Sequence, residues 1–141
     1  MNRTLLLLIA LMMTWPVHAD EFRPAYLQLT ETAPERYDVL WKVPALDEQT
    51  VLQLTPRFPD DSRELGPRQA TYVGGAAVIR WTTETPGGLY GRPIVFEGRG
   101  LARTDILVRF ARLDGTEQLE RLSSANPQFV AVPSAGRFEV A

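Results

Sequence analysis

The stretch DILVRFARLDG, residues 105–115, decides the fold class of this 141-residue chain. Its apolar residues at positions 106, 108 and 110 share one face, and Leu107 and Arg109 lie on the other. This two-residue alternation is typical of a strand that buries one face. Asp114-Gly115, at the end of the stretch, is a dipeptide typical of tight hairpin turns. The stretch therefore predicts a strand that turns at Asp114-Gly115 and pairs with residues 117–122.

The same alternation recurs along the rest of the chain, interrupted by prolines and glycines. Within residues 68–83 it predicts two strand segments, with a bulge or bend at Gly74-Gly75. No 11-residue window after residue 19 keeps a helical stripe, and residues 117–124 are assigned to a strand by their partner across the hairpin. Eight or nine short antiparallel strands predict an all-β fold, an immunoglobulin-like β-sandwich. The other extended runs from which these strands are drawn span residues 25–30, 36–43, 51–55, 92–97, 128–132 and 137–140.

The first 19 residues have the pattern of a secretory signal peptide. Arg3 precedes an apolar run over residues 5–13, Pro16 follows it, and Val17-His18-Ala19 provides a cleavage site. The run is shorter than the roughly 20 apolar residues of an ordinary transmembrane helix. We expect a signal-peptide helix, cleavage after Ala19, and one domain over residues 20–141 in the periplasm or otherwise outside the cytoplasm. An uncleaved anchor that tethers the domain is the alternative.

The residue types that are missing limit the chemistry of the domain. The chain has no cysteine, and its one histidine, His18, lies within the predicted signal peptide. Without imidazole or thiol the domain cannot form Ser-His or Cys-His nucleophile pairs, nor the usual zinc, copper or nickel ligand sets. We therefore expect no catalytic residue, no cofactor and no metal site, and the domain is not predicted to be an enzyme. Carboxylate chemistry and calcium binding stay open.

Charge and glycine patterns exclude further classes of ligand. Removing Arg3 with the signal peptide leaves 14 basic and 17 acidic residues, interspersed and without a basic stripe, which argues against nucleic acid. The acidic residues at 47–48 and at 60, 61 and 64 lack the spacing of a calcium loop and are predicted to lie in solvated turns. The glycines at 87–91 and 98–100 lack the following helix of a phosphate loop, so we predict hairpin turns there.

Aromatic residues and the start of the exported domain provide the remaining candidates. Trp41 is in phase with the buried face of its predicted strand, as is Trp81 later in the chain, and both are predicted to pack in the core. The candidate contacts to a partner protein are Glu21, Arg23, Tyr26 and Tyr90. The alternative for residues 21–26 is a plain edge strand with a proline at its start.

Several stretches of the chain resemble a known family. They are HADEFRPAYL (residues 18–27) with Thr30-Glu31 and YDVLWKVP (37–44), then GLYG (88–91) through Ile94, Gly98, Leu101, TDILVR (104–109), Asp114-Gly115 and NPQF (126–129). Together they resemble the N-terminal extracytoplasmic domain of HupE/UreJ-type membrane proteins, the hydrogenase and urease accessory family linked to nickel or cobalt handling. The similarity covers essentially residues 20–141.

Members of that family carry, after such a domain, transmembrane helices with a histidine- and aspartate-bearing motif. This sequence ends at Ala141, about where those helices would begin, so no metal-transport residue is carried over. The resemblance implies a non-catalytic extracytoplasmic accessory domain whose permease half is missing, encoded separately or lost through truncation. A permease-like membrane protein of this type is its expected partner. The alternative is a free periplasmic protein that binds a small molecule or glycan through Tyr72, Tyr90 and Trp81.

Overall fold

The structure, a computed structural model, describes residues 23–135; the predicted signal peptide and the predicted strand over 137–140 lie outside the described residues. The described part consists of ten strands and one short 3₁₀ helix, Arg99–Ala102, between the seventh and eighth strands. The strands are β1 (Ala25–Ala33), β2 (Arg36–Pro44), β3 (Thr55–Arg57), β4 (Arg63–Glu64), β5 (Gln69–Val73), β6 (Ala76–Glu84), β7 (Ile94–Glu97), β8 (Ile106–Ala111), β9 (Glu117–Leu122) and β10 (Gln128–Phe129). The prediction of an all-β fold is confirmed. Nothing helical in residues 23–135 has the length and hydropathy of a membrane-spanning segment.

The strands form two sheets. The larger has the order β4-β6-β2-β1-β8-β9, with β5 paired to β6 beside β4, and the smaller has the order β10-β7-β3. The hairpin predicted at Asp114-Gly115 is confirmed as the β8–β9 connection. The prediction that all strands are antiparallel is wrong for β1 and β8, which pair in parallel with Ala25 opposite Ile106. A parallel pair needs a long crossover, and here strands β2 to β7 provide it.

The inner face of the larger sheet packs on the smaller sheet. Trp41 of β2 lies against Phe96 of β7, with ring centroids 5.6 Å apart, and Phe110 of β8 lies 6.3 Å from Phe129 of β10. Trp41 and Trp81 are only 2% and 5% exposed, which confirms their predicted place in the core. Alternate residues of β1, β2 and β8 are buried because only one face of each strand meets the smaller sheet.

The third predicted strand is displaced in the structure. It was expected over residues 51–55, whereas β3 begins only at Thr55. The preceding residues bond elsewhere: the amide of Leu52 donates to the carbonyl of Pro44, the last residue of β2, at 2.9 Å, and the carbonyl of Gln53 accepts from Gly100 of the 3₁₀ helix at 2.8 Å. The short strand β4 follows in a region that the alternation did not assign.

The glycine-rich turns also differ from expectation. Gly74-Gly75 is a two-residue hairpin turn between β5 and β6 rather than a bulge, and both residues have the positive φ that such turns require. The glycines at 98–100 lead into the 3₁₀ helix instead of a hairpin. The hairpin predicted around residues 87–91 is also wrong: Gly88 donates to the carbonyl of Thr85 at 2.8 Å and closes a turn, but this turn connects strands of different sheets.

Candidate functional site

The most distinctive surface of the domain is the edge of the larger sheet formed by β5, which we call the open edge. All five of its residues are exposed, and within residues 23–135 it pairs with β6 alone. Its sequence, QATYV, contains neither a charge nor a proline. Edge strands in soluble proteins are usually protected by charged side chains, proline or a covering segment, because their free backbone groups can pair with another chain. The five residues of the open edge include no charged side chain and no proline, and no other segment within residues 23–135 pairs with their outer side.

The hairpin turn determines which backbone groups of β5 are free. A two-residue turn is closed by a hydrogen-bonded pair, which here is Val73 and Ala76. Bonding alternates along an antiparallel ladder, so Thr71 also bonds inward to β6. The N–H and C=O groups of Ala70 and Tyr72 therefore point away from the sheet. A partner strand could accept and donate at these two positions.

The outer face of the larger sheet continues from the open edge. The register places Thr71, Val78, Lys42 and Tyr26 in one row across β5, β6, β2 and β1. With neighbouring strands about 4.8 Å apart, this row places Tyr26 about 14 Å from the open edge. Its phenol donates to the side chain of Gln28 at 3.0 Å, and the ring is half-buried on this outer face.

The predicted partner contacts occupy two different parts of the molecule. Arg23 donates to the carbonyl of Gly74 at 3.1 Å, in the turn at the end of β5, so it lies beside the open edge. Tyr90 lies on the inner side of the sheet near the far end of β1, where its hydroxyl donates to Glu31 at 3.0 Å. Glu21 falls outside the described residues. The structure thus places Arg23 and Tyr26 near the same end of β1 and leaves Tyr90 apart, while their contact with a partner stays a prediction.

Tyr90 belongs to a buried polar group that supports the fold. Glu31 is only 7% exposed and accepts hydrogen bonds from Tyr90 and from the amide of Leu113, both at 3.0 Å. Burial and then the hydrogen bond to Glu31 raise the pKa of Tyr90 to about 12. The phenol is therefore a protonated donor at neutral pH. Its ring lies 5.6 Å from that of Phe110, so the residue packs against the core.

The three aromatic residues of the glycan-binding alternative do not share a surface. Trp81 is buried beneath the guanidinium of Arg68, 4.0 Å from its ring centroid, and against the ring of Phe58. Tyr72 is 41% exposed on the open edge, whereas Tyr90 bonds to Glu31. A stacking platform for a sugar would need at least two of these rings side by side on the surface.

Acidic residues of both clusters singled out in the sequence make local hydrogen bonds or ion pairs. Asp47 accepts from the amides of Gln49 and Thr50 at 2.9 and 2.8 Å, which is the turn role expected for it. Asp61 pairs with Arg92, and this pairing lowers the pKa of Asp61. Within residues 23–135, no group of three or more His, Cys, Asp or Glu residues is arranged to hold a metal ion. No model of a known protein family matches the chain, and no curated protein matches its sequence.

Proposed function

We propose that this chain is a non-catalytic accessory domain that binds a membrane permease-like protein of the HupE/UreJ type through the open edge. The observation that carries the proposal is the exposure of β5, an uncharged edge strand with no neighbour on its outer side within residues 23–135. The domain works in the periplasm or otherwise outside the cytoplasm. The signal-peptide pattern of residues 1–19 and the resemblance over residues 20–141 support this part of the proposal.

Binding would occur by addition of a strand. An extended segment of the partner would bond to the outward backbone groups of Ala70 and Tyr72, and these main-chain bonds would supply affinity. The side chains of Tyr72 and Val73, 41% and 63% exposed, would supply specificity on opposite faces of the added strand. No catalytic group is needed for this activity, in agreement with the absence of cysteine and of any histidine after His18.

We also propose that the two sheets form an immunoglobulin-like sandwich. Support comes from two packed sheets around one apolar core and from the pairing of consecutive strands β1–β2 and β8–β9. In this arrangement the parallel pairing of β1 with β8 joins the first strand to the β8–β9 hairpin. The open edge then lies at the opposite side of the larger sheet from that hairpin.

The test removes one outward backbone donor from the open edge. In Tyr72→Pro the lost N–H points away from β6, and proline is tolerated at such positions of edge strands. Tyr72→Thr is the matched control, because it loses the ring but keeps the N–H. Binding to a HupE/UreJ-type membrane protein from the same cell, purified in detergent, is expected to weaken about tenfold in Tyr72→Pro. The control is expected to lose less affinity than Tyr72→Pro, because it loses the ring but keeps the outward backbone donor.

A second proline distinguishes lost docking from lost folding. Thr71→Pro removes a bond to β6 itself and is expected to lower the melting temperature more than Tyr72→Pro does. The proposal is contradicted if the wild-type protein does not bind the membrane protein, or if Tyr72→Pro binds as tightly as wild type. Equal melting temperatures of the two proline variants would show that the outward orientation of Tyr72 is wrong.

A further inference from the structure

We propose that the domain has a second binding site, which takes a small organic anion with an apolar body. The site is a pocket of about 940 Å³ at the end of the domain where β1 and β8 begin. Its lining combines three arginines with an apolar wall, namely Arg23, Arg99, Arg103, Leu46, Val51 and Leu52. This volume is within the range of about 300–1,000 Å³ typical of small-molecule sites. The inference goes beyond the proposed function, since it concerns other residues and another kind of ligand.

The charge of the lining indicates an anionic ligand. Within residues 23–135, no aspartate or glutamate is among the lining residues. Seven other arginines form ion pairs with carboxylates, whereas within residues 23–135 neither Arg99 nor Arg103 has an ion-pair partner. The planar guanidinium fork suits a carboxylate or phosphate group, which it can bind with two parallel hydrogen bonds.

The segments that carry the arginines are held in place without a ligand. The amide of Gly100 donates to Gln53 at 2.8 Å, and a β-carbon on Gly100 would lie 2.5 Å from Cγ of Leu52. The absence of a side chain at this position therefore lets the 3₁₀ helix lie directly on the pocket wall. The hydroxyl of Thr104 donates to the carbonyl of Arg23 at 2.9 Å, which fixes the third arginine relative to the other two. A site that is formed in advance loses less entropy on binding.

The apolar wall indicates that the anion has a hydrophobic part. Val51 and Leu52 are partly buried and pack against the core, while Leu46 is 87% exposed at the same pocket. The loop that carries Leu46 is ordered by local bonds, since its amide donates to Thr50 at 2.9 Å and Asp47 caps the turn. Covering these side chains with an apolar ligand would remove apolar surface from water, which favours binding.

The experiment uses three probes that separate charge from apolar surface. Octanoate carries both features, acetate only the charge, and octanol only the apolar chain. Titration calorimetry of the purified protein is expected to give a Kd for octanoate below about 1 mM and no measurable binding of the other two probes. Asp20 and Glu21 precede Arg23 in the sequence, and their negative charges oppose the binding of an anion. The same titration is therefore made with Asp20→Asn/Glu21→Gln, where octanoate is expected to bind at least as tightly.

Arginine variants locate the site. Arg99→Gln/Arg103→Gln is expected to weaken octanoate binding at least tenfold with an unchanged melting temperature, because both side chains are exposed. The matched control is Arg36→Gln, which removes an exposed arginine that pairs with Glu84 outside the pocket. The inference is overturned if octanoate binds neither the wild-type chain nor the Asp20→Asn/Glu21→Gln chain, if acetate or octanol binds equally well, or if the control loses as much affinity as the double variant. None of these outcomes affects the test of the open edge.

Discussion

The two edges of the larger sheet are built in opposite ways. On β9, three of the six residues are charged, and Glu117 and Arg121 pair with Arg109 and Asp105. The side chain of Gln118 also binds the segment that passes this edge, donating to the carbonyl of Val130 and accepting from the amide of Val132, both at 2.9 Å. On β5 no residue is charged, and within residues 23–135 no segment pairs with its outer side.

This difference shows that one sheet can protect an edge and leave another available. The edge formed by β9, which we call the covered edge, has charged residues, ion pairs and a segment bound to Gln118. These are usual means by which proteins prevent edge-to-edge association. Their absence from β5 is therefore a property of that strand rather than of the fold. The open edge is where a partner strand could bind without disturbing existing pairs.

The largest expected effect concerns how each edge strand is anchored to the core. Leu122 is the one buried residue of β9, at 6% exposure, whereas β5 has no buried residue. Leu122→Ala should reduce the free energy of unfolding by about 2–3 kcal/mol, because it removes buried apolar atoms and leaves a cavity. Leu119→Ala, in the same strand but 69% exposed, should cost less than about 0.5 kcal/mol. Urea unfolding measures both, and equal losses would contradict the assignment of the buried face.

A smaller effect is expected for the side chain that binds the segment over the covered edge. Gln118→Ala removes two hydrogen bonds to backbone groups and should cost about 1–2 kcal/mol in urea unfolding. The matched control is Gln69→Ala on the open edge, where the exposed amide should contribute less than about 0.5 kcal/mol. Hydrogen exchange of the Val132 amide should accelerate in the first variant only. An unchanged exchange rate there would mean that Gln118 does not hold the segment.

The smallest effect is a pH dependence at the turn of the covered edge. Hydrogen bonds from the hydroxyl and amide of Thr116 and from Ser134 lower the pKa of Asp114 to about 2, from an ordinary value of 3.8. The folded state therefore keeps the carboxylate charged where the unfolded chain takes up a proton. Its contribution to stability is present above about pH 4 and is lost as the pH falls towards 2.

Melting temperatures measured between pH 2 and pH 5 test this contribution. Wild type should lose more stability on acidification than Asp114→Asn, which cannot change its charge. Parallel curves for the two proteins would show that the bonds to Thr116 and Ser134 do not stabilise the charged form. The turn of the open edge, Gly74-Gly75, offers no titratable group for comparison.

The sequence predicted the strands whose two faces differ and missed features that depend on distant partners. β1, β2 and β8 were predicted to within about three residues at each end, because each places alternate side chains in the core. The strand at residues 51–55 was displaced because Leu52 bonds to Pro44 at the end of β2 and Gln53 bonds to Gly100, which is remote in sequence. Parallel pairing left no local signal, since turn chemistry reports only antiparallel neighbours.

The binding surfaces were less predictable than the strands. β5 was expected as a strand, but the alternation of Ala70 and Tyr72 with Thr71 and Val73 does not tell whether a core lies beneath it. Arg23 was proposed as a contact because it follows the predicted cleavage site. Its association with Arg99 required the fold, which brings the start of β1 beside the 3₁₀ helix. The unusual density of glycine around Arg99 was the only sequence signal there.

The parallel pairing of β1 with β8 has a consequence for how the protein assembles. β1 lies inside the larger sheet between β2, its neighbour in sequence, and β8, so Ala25 pairs with Ile106. The hairpins β1–β2 and β8–β9 are local and can form early, whereas joining them brings together residues at opposite ends of the domain, a slow step by contact order. During synthesis, a chain that lacks β8 would expose one side of β1. We expect that side of β1 to stay unpaired until the last third of the domain emerges.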